Sequence, residues 1–116
     1  MRILRRVLLI HFHNIGGSEY AYRKAPRCVV ERAAHWAALA HKHGHSLPAV
    51  AIAFAALPAC VTRVVLGMAS PAQVVQTLAW VAESGRVSAK VWQEAKCVGL
   101  LDAKIHIPDD HTAHDA

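Results

Sequence analysis

Leu47 to Leu57 reads LPAVAIAFAAL, a run without one polar side chain. A helix that is apolar all round must be covered on several sides, by protein or by lipid. Ser46 supplies an N-cap and Pro48 lies in the first turn, so a helix opens here. Pro58 stops it. The apolar stretch from Leu47 to Val61 is broken by Pro58 and falls short of the roughly 18 residues a membrane span requires. The chain must therefore surround this helix with protein.

The neighbours are legible from punctuation and periodicity. Residues 16–27, GGSEYAYRKAPR, read as loop, and a helix begins at Pro26 with Val29, Ala33, Trp36 and Ala40 at helical spacing. Gly44 ends it where a left-handed residue is wanted. After Pro58 the β-branched run CVTRVVLG suits a buried strand. Ser70 then caps a helix, with Pro71 at its first position and Gln73 placed for a capping box. Its apolar stripe is Val74, Leu78 and Val81, and Gly85 closes it. Ser88 caps a fourth helix with the stripe Val91, Ala95 and Val98, ended by Gly99. The order is helix, helix, strand, helix, helix. A lone strand cannot satisfy its own N–H and C=O groups, so either the fold is expected to complete itself across an oligomer or the chain is part of something larger.

Charge and cysteine content narrow the function classes. The net charge of +5 resides in residues 1–27, where six basic side chains face Glu19 alone. Residues 28–116 balance seven basic against seven acidic groups. The body therefore lacks the clustered, aromatic-interleaved basic face that nucleic acid selects. The opening MRILRRVLLIHFH has the basic start and apolar run of a secretory signal. His11, His13 and Asn14 interrupt it, and no A-x-A site follows. Three widely spaced cysteines, Cys28, Cys60 and Cys97, form no CxxC pair and suit reduced thiols in a cytoplasmic protein. One domain with no membrane span and no nucleic-acid partner is expected.

Candidate chemistry is sparse. In VVLGMASPAQVVQ, a glycine and a Ser-Pro helix start follow a strand-like run. Such a helix N-terminus offers unpaired N–H donors and a favourable dipole to a phosphate. It is equally ordinary turn punctuation. His41, His43 and His45, with His35 earlier, suggest a metal. Gly44 interrupts the His41–His45 pair, however, and no acidic or cysteine ligand accompanies them in sequence, so a solvated helix end fits better. Tyr20, Tyr22, Lys24, Asp102, Asp109 and Asp110 form no paired acid, base or nucleophile. No catalytic residue and no metal ligand is assigned.

Three pieces carry a family resemblance: GGSEYAYRKAP, then LAHKHGHSLPAVAIAFAALPACVTRVVLGMASPAQVVQTLAW, then VWQEAKCVGLLD. From Gly16 to about Pro108 the chain resembles the C-terminal part of the aldo/keto reductases, closest to the aldose (fucose-type) and pyridoxal dehydrogenase branch. The resemblance implies an α/β fold, a partial (β/α)8 TIM barrel made of its C-terminal βα units and mostly helical as an isolated chain. Residues 1–15 would be an unmatched tail, 16–108 the barrel portion and 109–116 a polar tail. It implies an NAD(P)-dependent oxidoreductase transferring hydride between a nicotinamide dinucleotide and a sugar, aldehyde or alcohol. By resemblance Leu66, Gly67, Met68, Ala69 and Ser70 form the loop at the adenosine phosphate, and Gln73, Gln76 and Thr77 face the phosphate and adenine.

This chain departs from the family pattern in two ways. The family often places a basic residue in the loop or at the position of Gln73, and an asparagine at that of Thr77. Their absence favours NAD over NADP. The strands that carry the family's catalytic Asp, Tyr, Lys and His are not among these 116 residues. The expectation is a truncated or frameshifted reading frame, inactive alone. A different class also fits: a small helical interaction protein without enzymatic activity, self-associating through the apolar helix 47–57.

Overall fold

The computed structural model describes residues 19–20, 23–24 and 26–108. The expectations for residues 1–15, for Tyr22 and for residues 109–116 lie outside the described residues. The backbone divides into two compact units, Met1–Ala34 and His35–Ala116.

In the first unit a short hairpin stands where the sequence suggests only loop. Strand β1 (Glu19–Tyr20) pairs antiparallel with β2 (Arg23–Lys24), with Glu19 opposite Lys24 and Tyr20 opposite Arg23. Helix α1 (Arg27–Lys42) then begins at Pro26, whose carbonyl accepts from Val29 and Val30. Arg27 and Glu31 form an i,i+4 ion pair at 2.7 Å on its exposed side.

The second unit holds the core. It contains the end of α1, helix α2 (Leu47–Ala56), helix α3 (Pro71–Ser84) and helix α4 (Ala89–Cys97). Leu39 and Ala40 of α1, Val50 of α2, and Val91, Trp92 and Ala95 of α4 pack together with Leu101. Ala40, Val91 and Ala95 are fully buried. Trp92 is the largest piece of this core. Its ring lies 6.5 Å from Trp36 and 5.7 Å from Phe54, both tilted, as aromatic quadrupoles prefer.

Two helix ends follow from glycine. Gly44 (φ +76°) ends α1: its N–H donates to His41 and that of His45 to Ala40. Gly99 (φ +76°) ends α4 in the same way, with its N–H donating to Lys96 and that of Leu100 to Ala95. Both are Schellman ends, and the second turns Leu101 back into the core. Gly85 also closes its helix, but with a right-handed φ of −67°.

Three expectations are corrected. The run CVTRVVLG is not a buried strand: residues 61–69 carry no helix, turn, bend or ladder pairing, and Val65 is 84% exposed. A strand needs a neighbour to accept its hydrogen bonds, and none lies among the described residues. For the same reason α3 does not bury its apolar stripe. Val74, Leu78 and Val81 are exposed, and Thr77 is the one residue α3 buries. The helix of a βα unit packs its stripe on a sheet, and here the described residues offer no such sheet. Val98 also faces outward, because α4 ends one residue before it. The described residues are thus mostly helical.

Candidate functional site

Residues 61–69 lead into α3, and the junction is built from three side chains and one backbone turn. Ser70, extended at φ −148° and ψ 159°, is the N-cap, and its Oγ accepts from the Gln73 N–H at 3.2 Å. Its carbonyl accepts from the Val74 N–H. The Gln73 side chain reaches back as a capping box does, but its Oε1 accepts from the Ala69 N–H at 2.6 Å, one residue before the cap. Pro71 has no N–H to offer.

The residues expected at a phosphate are therefore only partly assembled for one. Ala69, Ser70 and Gln73 are brought together, and their own hydrogen bonds occupy two of the donors a phosphate would use. Gln76 lies one turn further along α3 and is exposed. Thr77 is only 9% exposed, so the position expected at adenine faces inward. Leu66 is half-buried, while Gly67, Met68 and Ala69 are exposed. A side chain added at Gly67 would meet nothing within 4 Å, so the glycine leaves an open approach without being required by packing.

A second cluster gathers at the corner between α1 and α2. His41 points to solvent, as a solvated helix end predicts. His43 and His45 do not. His43 Nε2 lies 2.6 Å from Glu94 Oε2, and Lys42 Nζ donates to Glu94 Oε1 at 2.5 Å. His45 Nδ1 lies 3.8 Å from Glu83 Oε1. The Ser46 N–H donates to Glu83 Oε1 at 2.7 Å and the Ser46 hydroxyl to Oε2 at 2.8 Å. Both carboxyls are held below their ordinary range. For Glu83 the main cause is the Ser46 backbone donor, followed by its hydroxyl. For Glu94 it is the bond from Lys42, then that from His43.

These two carboxylates were invisible in the sequence, where the histidines have no acidic companion nearby. Glu83 and Glu94 stand 37 and 51 positions from Ser46 and His43, and only packing of α3 and α4 brings them in. The corner does not make a catalytic triad. The Ser46 hydroxyl is spent on the carboxylate and faces no imidazole base, so nothing activates it. Among the described residues no group of three or more His, Cys, Asp or Glu side chains can hold a metal ion. Among the same residues no helix is long and apolar enough to cross a membrane.

No protein-family model, no curated protein and no solved structure matches the chain.

Proposed function

We propose that the chain is the cofactor-phosphate-binding C-terminal portion of an NAD(P)-dependent oxidoreductase of aldo/keto reductase type. One observation carries the reading: a helix, an unpaired run and a Ser-Pro-capped helix follow each other as α2, residues 61–69 and α3. In such a unit the adenosine phosphate sits at the N-terminus of the second helix, where the dipole and free N–H groups favour an anion. Ser70 and the Ala72 N–H would hold the phosphate, with Leu66 to Ala69 lining its approach and Gln73 swinging aside. Gln76 would border the adenine. Leu66 to Ser70 and Gln73 include no basic side chain, so NAD suits the site better than NADP. Bound NAD(P) would exchange hydride with its substrate, accepting it from a sugar or alcohol as NAD(P)+ or giving it to a carbonyl as NAD(P)H. A cytoplasmic location accords with the free thiols of Cys28, Cys60 and Cys97.

Titrating the labelled protein with NAD+ and NADP+, read by backbone amide NMR, tests this. Millimolar NAD+ should shift the amides of Gly67, Ala69, Ala72 and Gln73. Ser70→Ala should weaken binding about two- to fivefold, the worth of one anion contact at a helix start. No shift in this segment at millimolar cofactor would end the reading, whereas carbonyl reduction by the purified chain would overturn only the expectation that it is inactive alone.

A second reading is favoured by the exposed apolar face. The side chains of Val64, Val65, Met68, Val74, Val75, Leu78 and Val81 lie in solvent. Helix α2, where the sequence placed self-association, gives Ala49 and Val50 to the interior. A helical interaction protein would use the α3 face instead.

A further inference from the structure

We infer that residues 61–69 and the outer face of α3 form a two-fold interface with a second copy of this chain, an inference that rests on the self-association reading. Two demands must be met by one partner. Residues 62–68 expose N–H and C=O groups that bond to nothing among the described residues. Directly after them, Val74, Val75, Leu78 and Val81 expose an apolar helix face. A partner must bring unpaired backbone and an apolar helix side by side. This segment itself brings both, one directly after the other.

Symmetry and charge agree. An unpaired edge is a template for another chain, and an isologous two-fold contact is the commonest way that identical chains meet. An antiparallel register centred on Val65 sets Val65 against Val65 of the second copy. It places Arg63 opposite Gly67, so the arginines do not face each other. The exposed face of α3 from Ala72 to Ala82 bears no charged residue to bury. Seven partly exposed aliphatic side chains offer on the order of 400 Å² per copy, at roughly 100 Å² for a fully exposed one. Two copies then bury on the order of 800 Å² before the backbone of 61–69 is counted, close to the threshold of about 1,000 Å² for a specific interface.

Sedimentation equilibrium on the full chain is the test, with Val65→Asp and Leu78→Asp as probes. Both positions are well exposed, so the far-UV circular dichroism of each variant should match that of the parent. The parent should sediment at twice 12.6 kDa and each variant at 12.6 kDa. With Cys28, Cys60 and Cys97 replaced by serine, Val65→Cys should oxidise to a disulfide-linked dimer and Ala72→Cys should not. A parent that is monomeric or polydisperse overturns self-association itself. A dimer that survives both aspartates, or that fails to cross-link at position 65, overturns this interface and leaves self-association standing.

Discussion

Glu83 should be the most consequential single side chain on the polar side of the fold. It does for α2 what a glutamate three residues inside a helix does in a capping box, namely accept from the N-cap N–H. Helix α2 has Ala49 at that inner position, and its N-cap Ser46 makes no side-chain bond to its own helix. The carboxylate arrives from α3 instead and takes both the N–H and the hydroxyl of Ser46, at 2.7 and 2.8 Å. Hydrogen bonds to a charged acceptor contribute about 1.5–3 kcal/mol each, and partial exposure lets water replace some of that. Glu83→Ala should therefore cost about 2 kcal/mol, or about 10 °C in Tm for a domain this small. Ser46→Ala removes only the hydroxyl bond and should cost about 1 kcal/mol.

The double variant discriminates between this account and ordinary capping. If the Ser46 hydroxyl acts only through Glu83, Ser46→Ala should cost nothing further once Glu83 is alanine, a coupling of about 1 kcal/mol. If Ser46 capped its own helix, the two losses would add. Thermal unfolding followed by circular dichroism at pH 7 reads all four proteins. The reasoning fails if Glu83→Ala melts within about 2 °C of the parent, a loss below about 0.5 kcal/mol. It fails equally if the losses are additive.

Acid should loosen the same corner. Glu83 and Glu94 both titrate below their ordinary 4.5 in the folded chain, so the stability they lend is complete above that value. It is lost as pH falls through their lowered folded values, and a Tm series from pH 6 downward should drop more steeply for the parent than for Glu83→Gln. Equal slopes would refute the assignment. In the core, Trp92→Ala removes a buried ring packed on Trp36 and Phe54 and should cost about 3–5 kcal/mol, leaving little cooperative unfolding. A cooperative melt within a few degrees of the parent would show that the core lies elsewhere.

Helix positions were legible because their signals are local. Pro26, Ser46, Pro48, Ser70, Pro71, Gly44 and Gly99 fix helix starts and stops through the backbone geometry of a few adjacent residues. The stripe of α4 was legible for the same reason, and Val91 and Ala95 are fully buried as its spacing indicates. What failed depends on partners. Periodicity identifies the apolar side of α3 but says nothing of what stands opposite, and the described chain leaves Val74, Leu78 and Val81 exposed. The β-branched run after Pro58 has strand propensity, yet propensity without a neighbour makes no ladder. The hairpin at Glu19–Lys24 was missed because two paired residues on each side leave no alternating pattern to detect.

The polar corner failed in the opposite sense: its partners exist but are far away in sequence. A histidine cluster next to a glycine looks like a frayed helix end until α3 and α4 deliver a carboxylate to each of two imidazoles. The candidate site combines both kinds of failure. Its local half was legible in part from Ser-Pro-x-Gln: the Ser70 cap forms as read, while the Gln73 side chain takes the Ala69 N–H in place of that of Ser70. Its non-local half is whatever pairs with residues 61–69, and that decides between a cofactor loop and a contact between copies. The same N–H groups cannot serve a ladder and remain free, but Ala72 lies beyond the ladder. A dimer paired at Val65 that still shifts its Ala72 amide with NAD+ would therefore show that the two uses coexist.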